Sequence, residues 1–209
     1  MARRTKEEAD ATREALLDAA EDVFHEKGVG RASLAEIAQA AGATRGAIYW
    51  HFKDKVDLFN AMMDRVTLPL EAACREQDLA VEPLARVQGT MQRLLATVVE
   101  DAHTRRVFEI AMYRVEYVAE LGSVRERHQA ALQRFRAQLA QDLGEAAREQ
   151  GLDLPMPDAD AALGLQSLFD GLLQAWILGQ ASFDLRGVGG RTVAAYLRGL
   201  GFELQGGVR

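Results

Sequence analysis

From Glu7 to Lys27 apolar residues return at Ala9, Leu16, Leu17, Ala20, Val23 and Phe24, a helical spacing that leaves Glu, Asp and Arg on the opposite side. The "KG" that follows closes the stretch, because Gly28 suits the left-handed position after a last helical turn. Next comes "SLAEIAQAAG", where Ser33 and Glu36 form a capping-box pair: the hydroxyl takes one orphan backbone N–H and the carboxylate returns to the cap's own N–H. Leu34, Ile37, Ala38 and Ala41 make its apolar face, and Gly42 ends it. Thr44 then caps a further short helix reaching about His51. Ala38, Gly42 and Ile48 stand where two helices touch, turn and face each other, which predicts a helix-turn-helix. Asp54 caps the helix beyond, whose stripe is Val56, Leu58, Phe59, Met62, Met63 and Val66. Pro69 is expected to kink or end it.

Past Pro83 the pattern lengthens. "RVQGTMQRLLATVVEDA" carries Val87, Met91, Leu94, Leu95 and Val98, and "RRVFEIAMYRVEYVAEL" is apolar on more than one side, which predicts a largely buried helix. A charged amphipathic helix over 122–151 turns Leu132, Phe135, Leu139, Leu143 and Ala146 to one face. "GLDLPMPD" breaks the chain, and two helices follow over roughly 158–182 and 190–200, with "GVGG" as the loop before the last. The expected fold is all-α, with a three-helix helix-turn-helix domain over 1–55 and a larger helical domain over 56–209, its first part (56–82) being a linking helix. Composition agrees, since 48% of the 209 residues are hydrophobic and only 4 are proline.

A net charge of −6 argues against a nucleic-acid partner until the placement of charge is considered. Arg3, Arg4 and Lys6 have no acid among them, and Arg45, Lys53 and Lys55 face only Asp54. The histidines at 25, 51, 103 and 128 are scattered. No H-E-x-x-H, phosphate-binding glycine loop or zinc-ligand set occurs, so neither an enzyme nor a cofactor is expected. The single cysteine, Cys74, forms no internal disulfide and is either an incidental thiol or a redox switch. With no secretion signal and no uninterrupted apolar run of membrane length, the expected location is the cytoplasm, with no membrane contact.

"TRGAIYWHFKDK" concentrates aromatic and cationic residues. Ile48, Trp50 and Phe52 are assigned to packing, and Arg45, Tyr49, His51 and Lys55 to an outward face. A helix of that kind suits the major groove: Arg bonds guanine O6 and N7 in bidentate fashion, and Tyr reaches a phosphate or a thymine methyl. Gly46 allows close approach of the backbone.

The stretch from Met1 to Lys55, above all "RRTKEEA" and "TRGAIYWHF", resembles the N-terminal domain of the TetR/AcrR family of bacterial transcriptional regulators, and within it the local repressors of multidrug efflux pumps. The resemblance implies a two-domain homodimer on a palindromic double-stranded operator. It implies DNA contacts from Ser33, Thr44, Arg45, Gly46, Tyr49, His51 and Lys55, with Arg3, Arg4 and Lys6 as an arm.

The same resemblance implies a dimer interface and an inducer cavity in the larger half. The helix over 158–182 has more apolar surface than one core face requires, and with the last helix it would close a four-helix interface between two chains. On it Gln166, Asp170 and Gln174 form a polar stripe, which is either a solvated face or a set of polar groups turned into an apolar cavity. The resemblance favours the second for Asp170 and Gln174. Met91, Leu95, Phe108, Met112, Tyr113, Phe169 and Trp176 are the candidate walls for a small hydrophobic antimicrobial. A regulator of a catabolic operon and a protein-binding helical adaptor are the alternatives.

Overall fold

The computed structural model describes residues 6–75, 81–115 and 122–204; Arg3, Arg4 and the side chain of Cys74 lie outside the described residues. Among them the chain forms α1 (Lys6–Lys27), α2 (Leu34–Ala40), α3 (Arg45–His51), α4 (Lys55–Arg75), α5 (Pro83–Glu100), α6 (Ala102–Tyr113), α7 (Gly122–Gln150), α8 (Asp158–Leu178) and α9 (Leu185–Gly199), with no strand. Two compact units result, Met1–Pro69 with His103–His128, and Leu70–Ala102 with Gln129–Arg209. The first therefore reaches beyond residue 55 and takes in α6.

In the first unit the inner face of α1 (Leu16, Leu17, Ala20, Phe24) is buried with Ile37 and Ala38 of α2, Ile48 of α3, and Leu58, Phe59 and Met62 of α4. The rings of Phe24 and Phe59 meet at 5.9 Å, tilted by 58°, the inclined geometry aromatic pairs favour. Polar contacts hold α6 to α1: His25 Nε2 lies 3.1 Å from Glu109, His103 Nδ1 lies 3.2 Å from Glu21, and Arg106 reaches Asp22 and Glu21.

Two expectations change here. Of the stretch predicted to be largely buried, 105–121, residues 116–121 lie outside the described residues; the helix before them ends at Tyr113 and buries only Thr104, Val107 and Ile110. Its remaining sides carry His103, Arg105, Arg106 and Glu109, so one apolar stripe serves the core and Phe108, Met112 and Tyr113 are half-buried. Nor does Pro69 end α4, which continues to Arg75. Proline removes the N–H that would reach the Arg65 carbonyl, but Pro69 lies on an exposed side where solvent can replace that donor.

In the second unit α9 packs on α5 and α8. "GVGG" is not a loop; it forms the first turns of α9, which begins at Leu185 because Asp184 caps it, accepting from Gly187 N–H at 3.0 Å. Glycine is needed inside the helix at 189, where a Cβ would lie 2.5 Å from Leu95 Cδ1. At the other end of the turn, α8 stops at Leu178, not 182. Gln180 and Ala181 take φ values of 50° and 58°, and Trp176 Nε1 donates to the Phe183 carbonyl at 3.0 Å. Tyr196 of α9 donates to the Ala161 carbonyl of α8 at 2.8 Å.

Buried charge joins α5 to α7. Arg86 places Nη2 2.9 Å from Asp142 and 2.6 Å from Glu145, while its Nη1 donates to the Val81 carbonyl at 2.9 Å. Among the described helices α8 alone has the length and apolar composition of a membrane span. Its buried Gln166, its Asp170 and its packing through Leu165, Phe169, Leu173 and Trp176 are those of a core helix.

Candidate nucleic-acid interface

The helix-turn-helix is held by hydrogen bonds that its sequence specifies. Ser33 Oγ accepts from the Glu36 N–H at 3.3 Å and donates to Glu36 Oε2 at 2.8 Å, while the Ser33 N–H donates to the same carboxylate at 3.0 Å. Glu36 also accepts from Lys27 Nζ at 2.9 Å. The Lys27 bond first, then the two from Ser33, pull the Glu36 pKa from 4.5 to about 2. Gly42 adopts φ +64°, the left-handed turn that a side chain would strain. The Ala43 N–H then closes on the Ala38 carbonyl at 2.9 Å. Thr44 caps α3 by accepting from the Ala47 N–H at 3.2 Å.

These bonds fix which side of α3 faces outward. Ile48 and Phe52 are buried to 0% and 2% exposure, whereas Tyr49 is 51% and Trp50 73% exposed. Assigning Trp50 to packing was therefore wrong. At 100° per residue it lies about 200° around the helix from Ile48, away from the buried side. Thr44, Arg45 and Gly46 are exposed beside it. The Arg45 guanidinium lies 5.9 Å from the centre of the Tyr49 ring, and the Trp50 ring meets His51 edge-on at 4.5 Å. Arg13 of α1 stacks over buried Phe52 at 5.4 Å, at the end of α3.

Not every predicted contact residue shares that face. Lys6 is exposed at the start of α1 and His51 is half-buried. Ser33 is engaged in its cap. Lys55 gives its ammonium to the carbonyls of Gly30 at 2.7 Å and Ala32 at 3.1 Å. Trp50 is the residue that belongs to the outer face and was missed; its signal was available in the helical angle.

The predicted cavity residues divide between the units. Phe108, Met112 and Tyr113 belong to the first; Met91, Leu95, Phe169, Asp170, Gln174 and Trp176 belong to the second. Met91 and Leu95 are fully buried, and Leu95 lies against Gly189 as core packing. The polar stripe of α8 is graded: Gln166 is 3% exposed, Asp170 is half-buried, and Gln174 is exposed. Gln166 accepts from Arg136 Nε at 3.0 Å and lies 3.5 Å from Asp170 Oδ2. Arg136, on α7, was not among the predicted residues. No three His, Cys, Asp or Glu side chains come together as a metal site among the described residues.

Known proteins match this arrangement along most of the chain. Residues 16–62 match the bacterial regulatory proteins of the tetR family, and residues 82–202 match the C-terminal region of MAATS-type transcriptional repressors. The HTH-type transcriptional regulator TtgR of Pseudomonas putida is 36% identical over 189 residues, 90% of each chain. The crystal structure of NalD, the secondary repressor of the MexAB-OprM multidrug efflux pump in Pseudomonas aeruginosa, superposes with a TM-score of 0.82 at 34% identity, covering 91% of this chain and 97% of that one. SmeT, the repressor of the Stenotrophomonas maltophilia multidrug efflux pump SmeDEF, has been solved with triclosan. That complex gives a TM-score of 0.76 at 33% identity, over 90% of this chain and 91% of that one. With both halves of its length matched, the chain belongs to the TetR family of bacterial transcriptional regulators.

Proposed function

We propose that this protein is a ligand-responsive repressor that binds a two-fold operator as a homodimer in the cytoplasm and leaves it when a small apolar or aromatic compound binds. A multidrug efflux operon is the target most in keeping with NalD and SmeT, which are repressors of such pumps. The observation that carries the reading is the outer face of α3, where Arg45, Tyr49 and Trp50 stand exposed on a helix fixed at both ends by caps. Arg45 reads base edges, contributing about 1–3 kcal/mol of discrimination if bidentate to guanine. Thr44, Gly46, Tyr49, Trp50 and His51 contact backbone and thymine methyls, with Lys6 and the preceding arginines on flanking phosphates. Ser33 serves the interface by holding α2.

Dimerisation is assigned to α8 and α9. In support, α8 leaves one side exposed, with Leu163, Ser167, Gly171, Gln174, Ala175 and Leu178 along it, mostly small or apolar as a helix-packing surface requires. The inducer is assigned to the second unit, near Asp170 and Phe169, with Arg136 and Gln166 as polar neighbours.

Fluorescence anisotropy of labelled duplex from upstream of the gene, against an unrelated duplex, tests the reading. Tight selective binding is expected, lost in Arg45→Ala and Tyr49→Ala and reversed by triclosan or another aromatic antimicrobial. Equal binding to both duplexes, unaffected by Arg45→Ala on genomic fragments as well, would overturn it.

A further inference from the structure

Between α1 and α2 runs a short non-helical segment, Gly28–Ala32. Its Val29 side chain is fully buried, and Gly28 takes φ +84°. Among the described residues no backbone N–H serves the carbonyls of Gly30 or Ala32, and carbonyls beside a core need a donor. One group supplies both: the Lys55 ammonium, at 2.7 Å and 3.1 Å. From α6 comes a second tie, since the Val29 N–H donates to the Arg114 carbonyl at 2.9 Å.

Lys55 is the first residue of α4, and Arg114 follows the last residue of α6. These are the helices on which the chain leaves the first unit, at Pro69/Leu70, and re-enters it, at Ala102/His103. Both are thus bonded to the same short loop, and the next residue is Ser33, the cap of α2. Beyond the cap the chain is packed and bonded: Ile37 and Ala38 are buried, as is Ile48, and the turn closes through the Ala43 N–H.

We infer that Lys55 is a positioning residue and not a phosphate contact: with the end of α6 it fixes the Gly28–Ala32 loop, and through it the placement of α2 and α3. The functional part of this inference rests on the proposed DNA-binding role of α3; the structural part does not. Two of the three ammonium N–H groups are taken by these carbonyls in charge-assisted bonds, which hold the side chain on the loop.

Lys55→Met and Lys55→Arg in the full chain test it, the second keeping the charge but replacing the compact ammonium by a planar fork. Amide hydrogen exchange of the DNA-free protein comes first. Residues 32–40 should exchange about tenfold faster or more in both variants, the scale of one lost charge-assisted bond, with α8 and α9 unchanged. Anisotropy on the upstream and unrelated duplexes follows across a salt series. Selective binding should weaken about tenfold in both variants, while binding to the unrelated duplex and the slope of log Kd on log salt stay constant, since no phosphate contact is lost. Unchanged exchange, with a slope reduced by about one in Lys55→Met and restored in Lys55→Arg, would identify a phosphate contact and overturn the inference. Should the native protein bind both duplexes equally, the DNA-binding role fails on its own and the exchange data alone uphold or overturn the clamp. A Met variant too unstable to purify leaves the Arg variant to decide.

Discussion

Arg86→Met removes a cation whose partners cannot easily do without it. Arg86 and Asp142 have side chains 6% and 1% exposed. Burial works against the Arg86 charge, but Asp142 and then Glu145 outweigh it and raise its pKa. Asp142 Oδ2 already lacks a hydrogen-bond partner among the described residues. Without Arg86, Gln138, at 3.3 Å from Oδ1, is the donor left to that carboxylate among the described residues. Breaking one side of such a pair destabilises by about 3–5 kcal/mol, which in a chain of this length lowers Tm by roughly 6–20 °C at about 2–4 °C per kcal/mol. Replacing both buried partners, Arg86→Met with Asp142→Leu, should recover most of the loss, because no charge then remains in the core, while Glu145, 30% exposed, keeps water and the Gln141 amide. Urea unfolding followed by far-UV circular dichroism measures both, at one protein concentration because a dimer's midpoint depends on it. A single variant losing less than about 1 kcal/mol, or a double variant no better than the single, would refute the mutual dependence of the pair.

Two further outcomes follow from the helix-turn-helix. The Glu36 pKa is depressed from 4.5 to about 2, so ionised Glu36 stabilises the fold above its unfolded pKa, and that contribution fades as pH falls from about 4.5 toward 2. Glu36→Gln should therefore lower Tm at pH 7 and converge on the native protein over that acid range; a constant difference from pH 7 to 2 would contradict the assignment. Trp50→Ala should leave stability within about 0.5 kcal/mol, as for an exposed side chain, yet weaken duplex binding, whereas Ile48→Ala should lose about 2–5 kcal/mol. Thermal melts with anisotropy separate the two, and a destabilised Trp50→Ala would return that ring to the core.

Local features of the interface were legible in the chain because neighbours in sequence make them. The Ser33/Glu36 box, the Thr44 cap and the positive φ of Gly28 and Gly42 each involve residues within a few positions, where spacing and chemistry suffice. Trp50 was misplaced although the needed information was equally local. A large aromatic residue suggests core, but at 100° per residue Ile48 and Phe52 share a face that Trp50 does not. "GVGG" was misread for a different reason. Glycines in succession signal a loop, and only the Leu95 methyl lying where a Gly189 Cβ would stand shows why they sit inside a helix.

Residue order alone settled the helical class, the caps and turn of the reading motif, and the burial of Ile48 and Phe52 at the inner side of α3. Periodicity and hydrogen bonds over a few residues are enough for these. Which distant residues meet was settled only by packing in three dimensions. It brought α6 into the unit of the N-terminal helices, joined Arg86 to Asp142 across 56 positions, and turned Lys55 from an outward cation into the donor for carbonyls 25 and 23 residues earlier. An ammonium goes to whichever unsatisfied oxygens the fold places within its reach, and no spacing along the chain records which those are.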